Sequence, residues 1–201
     1  MRLIKNIELN RYFIVVLLMS AFLLTQCDRV KSYEQLVEKE MASDIRNDTL
    51  FLGIYFGMSS EDFYKHCWTL NKNGTLKDGF GNMTAAYKID QLKYPAHFEF
   101  YPTFNDDKIH AMPAYVHYDA FAPWNHDLSA INLLEETKSM MEDWYDVTFY
   151  PIVPRTIFGK AYVSISGNRK IVIYYSLENR VEIVYTNLNN GDDVPVVFKL
   201  D

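Results

Sequence analysis

KAYVSISGNRKIVIYYSLENRVEIVYTN, residues 160–187, decides the fold. Three runs in it, Lys160–Ser166, Lys170–Ser176 and Arg180–Asn187, are rich in Val, Ile and Tyr, and polar turn residues bound each one. Such side chains suit a pleated, half-buried surface, and connections this short join neighbouring strands antiparallel. Gly167-Asn168 and Leu177-Glu178-Asn179 are the expected turns. The stretch reads as a three-stranded meander.

Downstream, Asn189-Asn190-Gly191-Asp192-Asp193 turns the chain into a short final strand, Val194–Leu200. Upstream, Pro151 and Pro154 mark an irregular connection. Before them a helix is expected from Asp127 or a neighbouring cap to about Tyr145. Its stripe of helical period is Ile131, Leu134, Met141 and Trp144, with Leu133 and Met140 beside them.

Further back lies a hairpin. His97-Phe98-Glu99-Phe100-Tyr101 forms one arm, Asn105-Asp106-Asp107 the turn, and Ile109 to Tyr118 the return, with Pro102 and Pro113 suggesting an edge or bulge. A strand at Met83–Ile89 precedes it. Ahead of that, Ser59 with Asp62 caps a helix carrying Phe63, Cys67 and Leu70 on one face, which Asn73-Gly74 stops. Thr49 to Phe56 (TLFLGIYF) is continuously apolar and aromatic, the signature of a strand covered on both faces.

The order helix, strand, hairpin thus occurs twice, in pseudo-repeats at about 49–119 and 127–188, and reads as a tandem duplication. The expected fold class is α+β, a single domain over 49–201 with two helices packed on one face of an antiparallel sheet.

The first residues carry a different signal. Arg2, Lys5 and Arg11 precede an uncharged run, Tyr12 to Leu24, that is too short to span a bilayer, so residues 1–26 read as a signal peptide. Leu24-Thr25-Gln26-Cys27 follows and resembles the lipobox of bacterial lipoproteins, with Gln26 where that family usually has Gly, Ala or Ser. The resemblance implies cleavage before Cys27 and lipid attachment to it. Three acyl chains would make that membrane attachment effectively permanent. A plain cleaved signal and an uncleaved anchor are the other readings of the same residues. Residues 27–48 are charged, lack Pro and Gly, and are expected as a lipid-anchored spacer with a short helix capped at Ser32. Lipid on Cys27 would leave Cys67 without a disulfide partner, as a core thiol.

Gly57-Met58-Ser59-x-Glu61 entering a helix, followed by strands and an aromatic hairpin with a polar turn, resembles the small outer-membrane lipoproteins of the SmpA/BamE type. Tandem copies of such a helix-plus-sheet unit resemble the β-lactamase inhibitor protein fold. Both resemblances imply binding or assembly rather than catalysis.

Composition narrows the partner. Removal of residues 1–26, with Arg2, Lys5, Arg11 and Glu8, leaves 17 Lys+Arg against 25 Asp+Glu, a formal charge of −8. That balance argues against nucleic acid and anionic headgroups. No P-loop, Gly-x-Ser-x-Gly or Gly-x-Gly-x-x-Gly occurs. The sequence therefore predicts no enzyme and no cofactor. It predicts a lipoprotein of the bacterial cell envelope, at the outer membrane, that binds a protein, peptide or glycan through Phe98, Phe100, Tyr101 and Phe104. One alternative is a metal-assisted hydrolase. His97 and Glu99 share a strand face, His117 and Asp119 repeat the spacing, and together they could ligate an ion. A toxin or enzyme inhibitor, or an immunity lipoprotein, is the other alternative that the inhibitor-like fold allows.

Overall fold

The computed structural model describes residues 32–120, 124–154, 159–176, 179–190 and 198–199. The leader, Cys27 and most of the expected final strand lie outside the described residues.

Each of the α-helices among the described residues forms where a serine supplies the first cap. Helix α1 (Tyr33–Met41) starts at Ser32, whose Oγ accepts from the Gln35 amide at 3.2 Å. Helix α2 (Ser60–Lys72) starts at Ser59, which accepts from the Asp62 amide at 3.1 Å, and it ends before Gly74 at φ 81°. Helix α3 (Ala130–Tyr145) is capped by Ser129 and stops at Asp146 in the left-handed region. Each cap satisfies an amide that the helix itself leaves without an acceptor.

The strands are β1 (Lys77–Asp78), β2 (Ala85–Ile89), β3 (Ala96–Phe100), β4 (Thr103–Asn105), β5 (Lys108–Tyr118), β6 (Tyr150–Pro154), β7 (Ala161–Ser166), β8 (Arg169–Tyr175), β9 (Val181–Asn187) and β10 (Phe198–Lys199). Nine run in the order β1-β2-β3-β5-β9-β8-β7-β6-β10, and β4 pairs with one end of β5. Every pairing is antiparallel. The class is α+β. The order is symmetric about the β5–β9 seam, with β1-β2-β3-β5 entering from one side and β6-β7-β8-β9 from the other.

Side-chain alternation gives this sheet two faces. One carries Phe98, Phe100, Met112, Ala114, Val116, Ile171, Ile173, Ile183 and Tyr185, all within the main core. Helix α3 lies on it over β5, β8 and β9, contributing Leu133, Leu134, Met140 and Met141. Helix α2 adds Phe63 to the same core. Ile131, expected in the α3 stripe, is half exposed.

Helix α1 takes the other face. Tyr33 and Leu36 are buried, and the helix packs on β7, with the Lys170 ammonium 6.0 Å from the Tyr33 ring centroid. Asn47 continues the attachment, with its amide N–H donating to Asn168 Oδ1 at 2.6 Å and its Nδ2 donating to Ser166 Oγ at 2.8 Å. From Ser32 on, the segment expected as a spacer is docked on the sheet.

One expected strand is absent. Residues 49–58, which link α1 to α2, form a tight loop, with Leu52 at φ 48° and Gly53 at φ 83° reversing the chain. The Leu50 amide donates to the Ile54 carbonyl at 2.8 Å, and Leu50, Phe51, Ile54, Phe56 and Met58 all enter the core. The run is apolar because it plugs the gap between helices. Its link to the sheet is confined to its end, where the Gly57 amide donates to the Ile109 carbonyl and the Ile109 amide to the Met58 carbonyl, each at 2.9 Å.

Candidate functional site

The four aromatic residues expected at a binding surface divide into two pairs. Phe98 and Phe100 are fully buried, at 0% exposure, and pack on Phe51 at centroid distances of 4.5 and 5.6 Å. They are core, which corrects the expectation that they face a partner. Alternation put them on one side of β3 but could not say which side the helices cover.

Tyr101 and Phe104 do reach the surface, because Pro102 breaks the strand between β3 and β4 and swings the chain to the rim. There they meet α2. Phe63 anchors the group from beneath, edge-on to Tyr101 at 6.0 Å and to Phe104 at 5.8 Å. Tyr64 lies 6.3 Å from Phe104 and shares a 2.5 Å hydroxyl–hydroxyl hydrogen bond with Tyr101. Trp68 stands one turn along α2 from Tyr64, on the same helical face, with Lys72 above its ring at 5.2 Å. Tyr64, Trp68 and Tyr101 are 51%, 65% and 38% exposed. Rings fixed from below yet open to solvent offer large contact area at little cost in ordering.

Tyr64 and Trp68 were not among the sequence candidates. Their signal is that Phe63, Cys67 and Leu70 already define the buried stripe, so two aromatics beside it fall where a polar face is expected.

The second constellation, His97, Glu99, His117 and Asp119, does assemble on the sheet face opposite the core. His97 and His117 are register partners on β3 and β5. They separate into two pairs, His97 Nδ1 with Asp119 Oδ1 at 2.5 Å and His117 Nε2 with Glu99 Oε1 at 2.9 Å. Among the described residues, no three His, Cys, Asp or Glu side chains converge as metal ligands. The four do not form the metal centre that the hydrolase alternative requires.

Glu99 is instead the hub of a hydrogen-bond network, only 6% exposed. Its Oε2 accepts from the Phe80 amide at 2.8 Å, the Thr84 hydroxyl at 2.5 Å and the Tyr115 hydroxyl at 2.7 Å. Burial alone would raise its pKa, but these donors and His117 outweigh it and hold the carboxyl at about 2. The Tyr115 phenol moves the other way, to about 12, through burial and the facing carboxylate. Gly79 allows the approach, since a Cβ there would stand 2.2 Å from Thr84 Oγ1 and 2.6 Å from Glu99 Oε2. The network ties the 79–84 loop to the sheet.

No protein-family model, curated protein or solved structure matches this chain. The site must be judged on its own chemistry.

On that chemistry Cys67 is inert. It is a free thiol packed against the core, and burial raises it to about 11. Little thiolate exists at neutral pH, and the thiolate is the nucleophile. Ellman's reagent at pH 7.5 should therefore label Cys67 far more slowly in the folded protein than in denaturant. Equal rates would show that the thiol is open.

Proposed function

We propose that this protein is a non-catalytic lipoprotein of the bacterial cell envelope, held at the outer membrane by lipid on Cys27. It binds a protein, peptide or glycan partner through the rings of Tyr64, Trp68, Tyr101 and Phe104. The observation that carries the reading is the ring patch, whose aromatic surfaces are clustered at one rim and braced by Phe63. Exposed aromatic groups of this kind are where binding energy concentrates in interfaces. The lipobox-like quartet at Leu24–Cys27 supports the address. Among the described residues no helix is long and apolar enough to cross a membrane. The symmetric strand order supports a tandem duplication of the kind seen in the β-lactamase inhibitor protein fold.

The test is capture of a partner from detergent-solubilised envelope material and glycan panels by the full-length protein. The wild type should retain a partner that the double variant Tyr64→Ala, Trp68→Ala loses, with affinity falling at least ~30-fold. Both side chains are largely exposed, so unfolding free energy should change by only about 0.5 kcal/mol. Retention of the partner by the variant, or capture of nothing, would remove the reading. Mass spectrometry of the mature N-terminus checks the anchor, since an unmodified Cys27 on a released protein contradicts it.

A further inference from the structure

A second recess, of about 350 Å³, lies where the 46–57 segment, the start of β5 and the end of β9 meet. It shares no residue with the ring patch. Its lining combines an apolar floor, asparagine amides, His110 and cations, and among the described residues no carboxylate contributes to it.

Phe56 and Ile109, both nearly inaccessible, form the floor. Asn187, only 8% exposed, opens onto the same space. Its Oδ1 accepts from Asn168 Nδ2 and from the Asn189 amide, each at 3.1 Å, and two donors on one atom fix the orientation of the side chain. The Asn187 Nδ2 group has no acceptor among the described residues, and it is not sealed from solvent. A donor open to the recess is met by water or by a ligand acceptor that displaces it.

The surrounding groups indicate what that acceptor is. Lys108 has no carboxylate partner among the described residues. Arg46 binds Asp48 through Nε at 2.5 Å, which leaves the rest of its guanidinium available. Among the described residues Asn105 makes no side-chain hydrogen bond, and the Asn190 side chain bonds His110. Two cations facing a recess whose described lining holds no carboxylate favour a bound oxyanion. Several amides, each both donor and acceptor, match hydroxyl groups, which have the same double capacity. An apolar floor suits the C–H face of a ring. The volume lies within the range of small-molecule sites.

We infer that this recess binds a carboxylate-bearing sugar, a hexuronate. Its carboxylate meets Lys108 and Arg46, and its hydroxyls meet Asn105, Asn187 and Asn190.

Saturation-transfer difference NMR on the full-length protein in detergent tests this, with D-glucuronate as the probe. D-glucose serves as the neutral control and inorganic phosphate as the competitor. The expected result is a saturable glucuronate signal with a Kd of about 1 mM. Glucose gives none at the same concentration, and phosphate displaces glucuronate only at large excess. Lys108→Gln weakens glucuronate binding about tenfold with an unchanged melting temperature. Asn105→Ala weakens it as well, and the ring-patch double variant leaves it unaltered. Absence of a glucuronate signal overturns the inference, and so does glucose binding equally well. Displacement by equimolar phosphate, a generic oxyanion site, overturns it too, as does full binding by both recess variants.

Discussion

Glu99→Ala lowers the unfolding free energy by about 3–5 kcal/mol, the largest loss expected from any polar substitution in this protein. Truncation strands four donors at once. The Phe80 amide and the hydroxyls of Thr84 and Tyr115 lose their shared acceptor, and His117 loses its carboxylate. Glu99→Gln keeps the volume but brings an amide N–H₂ into a ring of donors, so it should recover only part of the loss. Urea denaturation at pH 7 followed by intrinsic fluorescence measures all three proteins. A difference within about 0.5 kcal/mol would mean that the network is ornamental.

The same carboxylate sets an acid dependence. Its folded pKa is about 2, below the ordinary 4.5 expected when the chain unfolds. A depressed acid stabilises the fold while the carboxylate is ionised in both states. Its contribution is complete above about pH 4.5 and drains away as pH falls toward 2. The shift corresponds to at most on the order of 3 kcal/mol, and solvent screening lowers that. The stability gap between wild type and Glu99→Gln should therefore narrow across that window and stay flat from pH 5 to 8. A gap that did not change with acid would assign the effect to shape instead of charge.

Phe98→Ala should cost about 3–5 kcal/mol, as expected for removing a buried ring. Phe98 packs tilted against Phe51, neighbours Phe100 at 5.9 Å and reaches Trp144 at 6.0 Å, so its loss opens a cavity among three aromatic groups. Comparison with Trp68→Ala, stable but deficient in binding, separates core from surface within one set of aromatic residues. Thermal denaturation and partner capture on both variants make the comparison. If Phe98→Ala melted like the wild type and lost the partner, the assignment of the two roles would be reversed.

The sequence was most informative where the signals are local. Alternation across 160–187 located β7, β8 and β9 to within a residue or two, because Gly167 at φ 58° and Asn179 at φ 55° are the residues such turns require. Helix α3 ended where expected at Tyr145. Its cap is Ser129, while Asp127 is drawn aside to Lys93 at 3.1 Å and Tyr94 at 2.8 Å. An isolated run such as TLFLGIYF shows that a segment is buried but not in what form, and Gly53 was the overlooked hint of a reversal. Period-two spacing correctly put Glu99 with the histidines. It could not supply Phe80 and Thr84, which come from a loop on another part of the chain. The recess around Asn187 is less legible still, since its walls come from three separate segments.

The β5–β9 seam carries a consequence for how the chain reaches this structure. Most of the other pairings join strands close together in sequence, so each meander can zip from its own turns on a microsecond scale. The seam joins Ala111–Val116 to Val181–Thr186, roughly 70 residues apart, and must close that loop before any of its bonds repay the entropy. Joining the two half-sheets is therefore the pairing with the largest loop-closure entropy to overcome, and the one expected to form last.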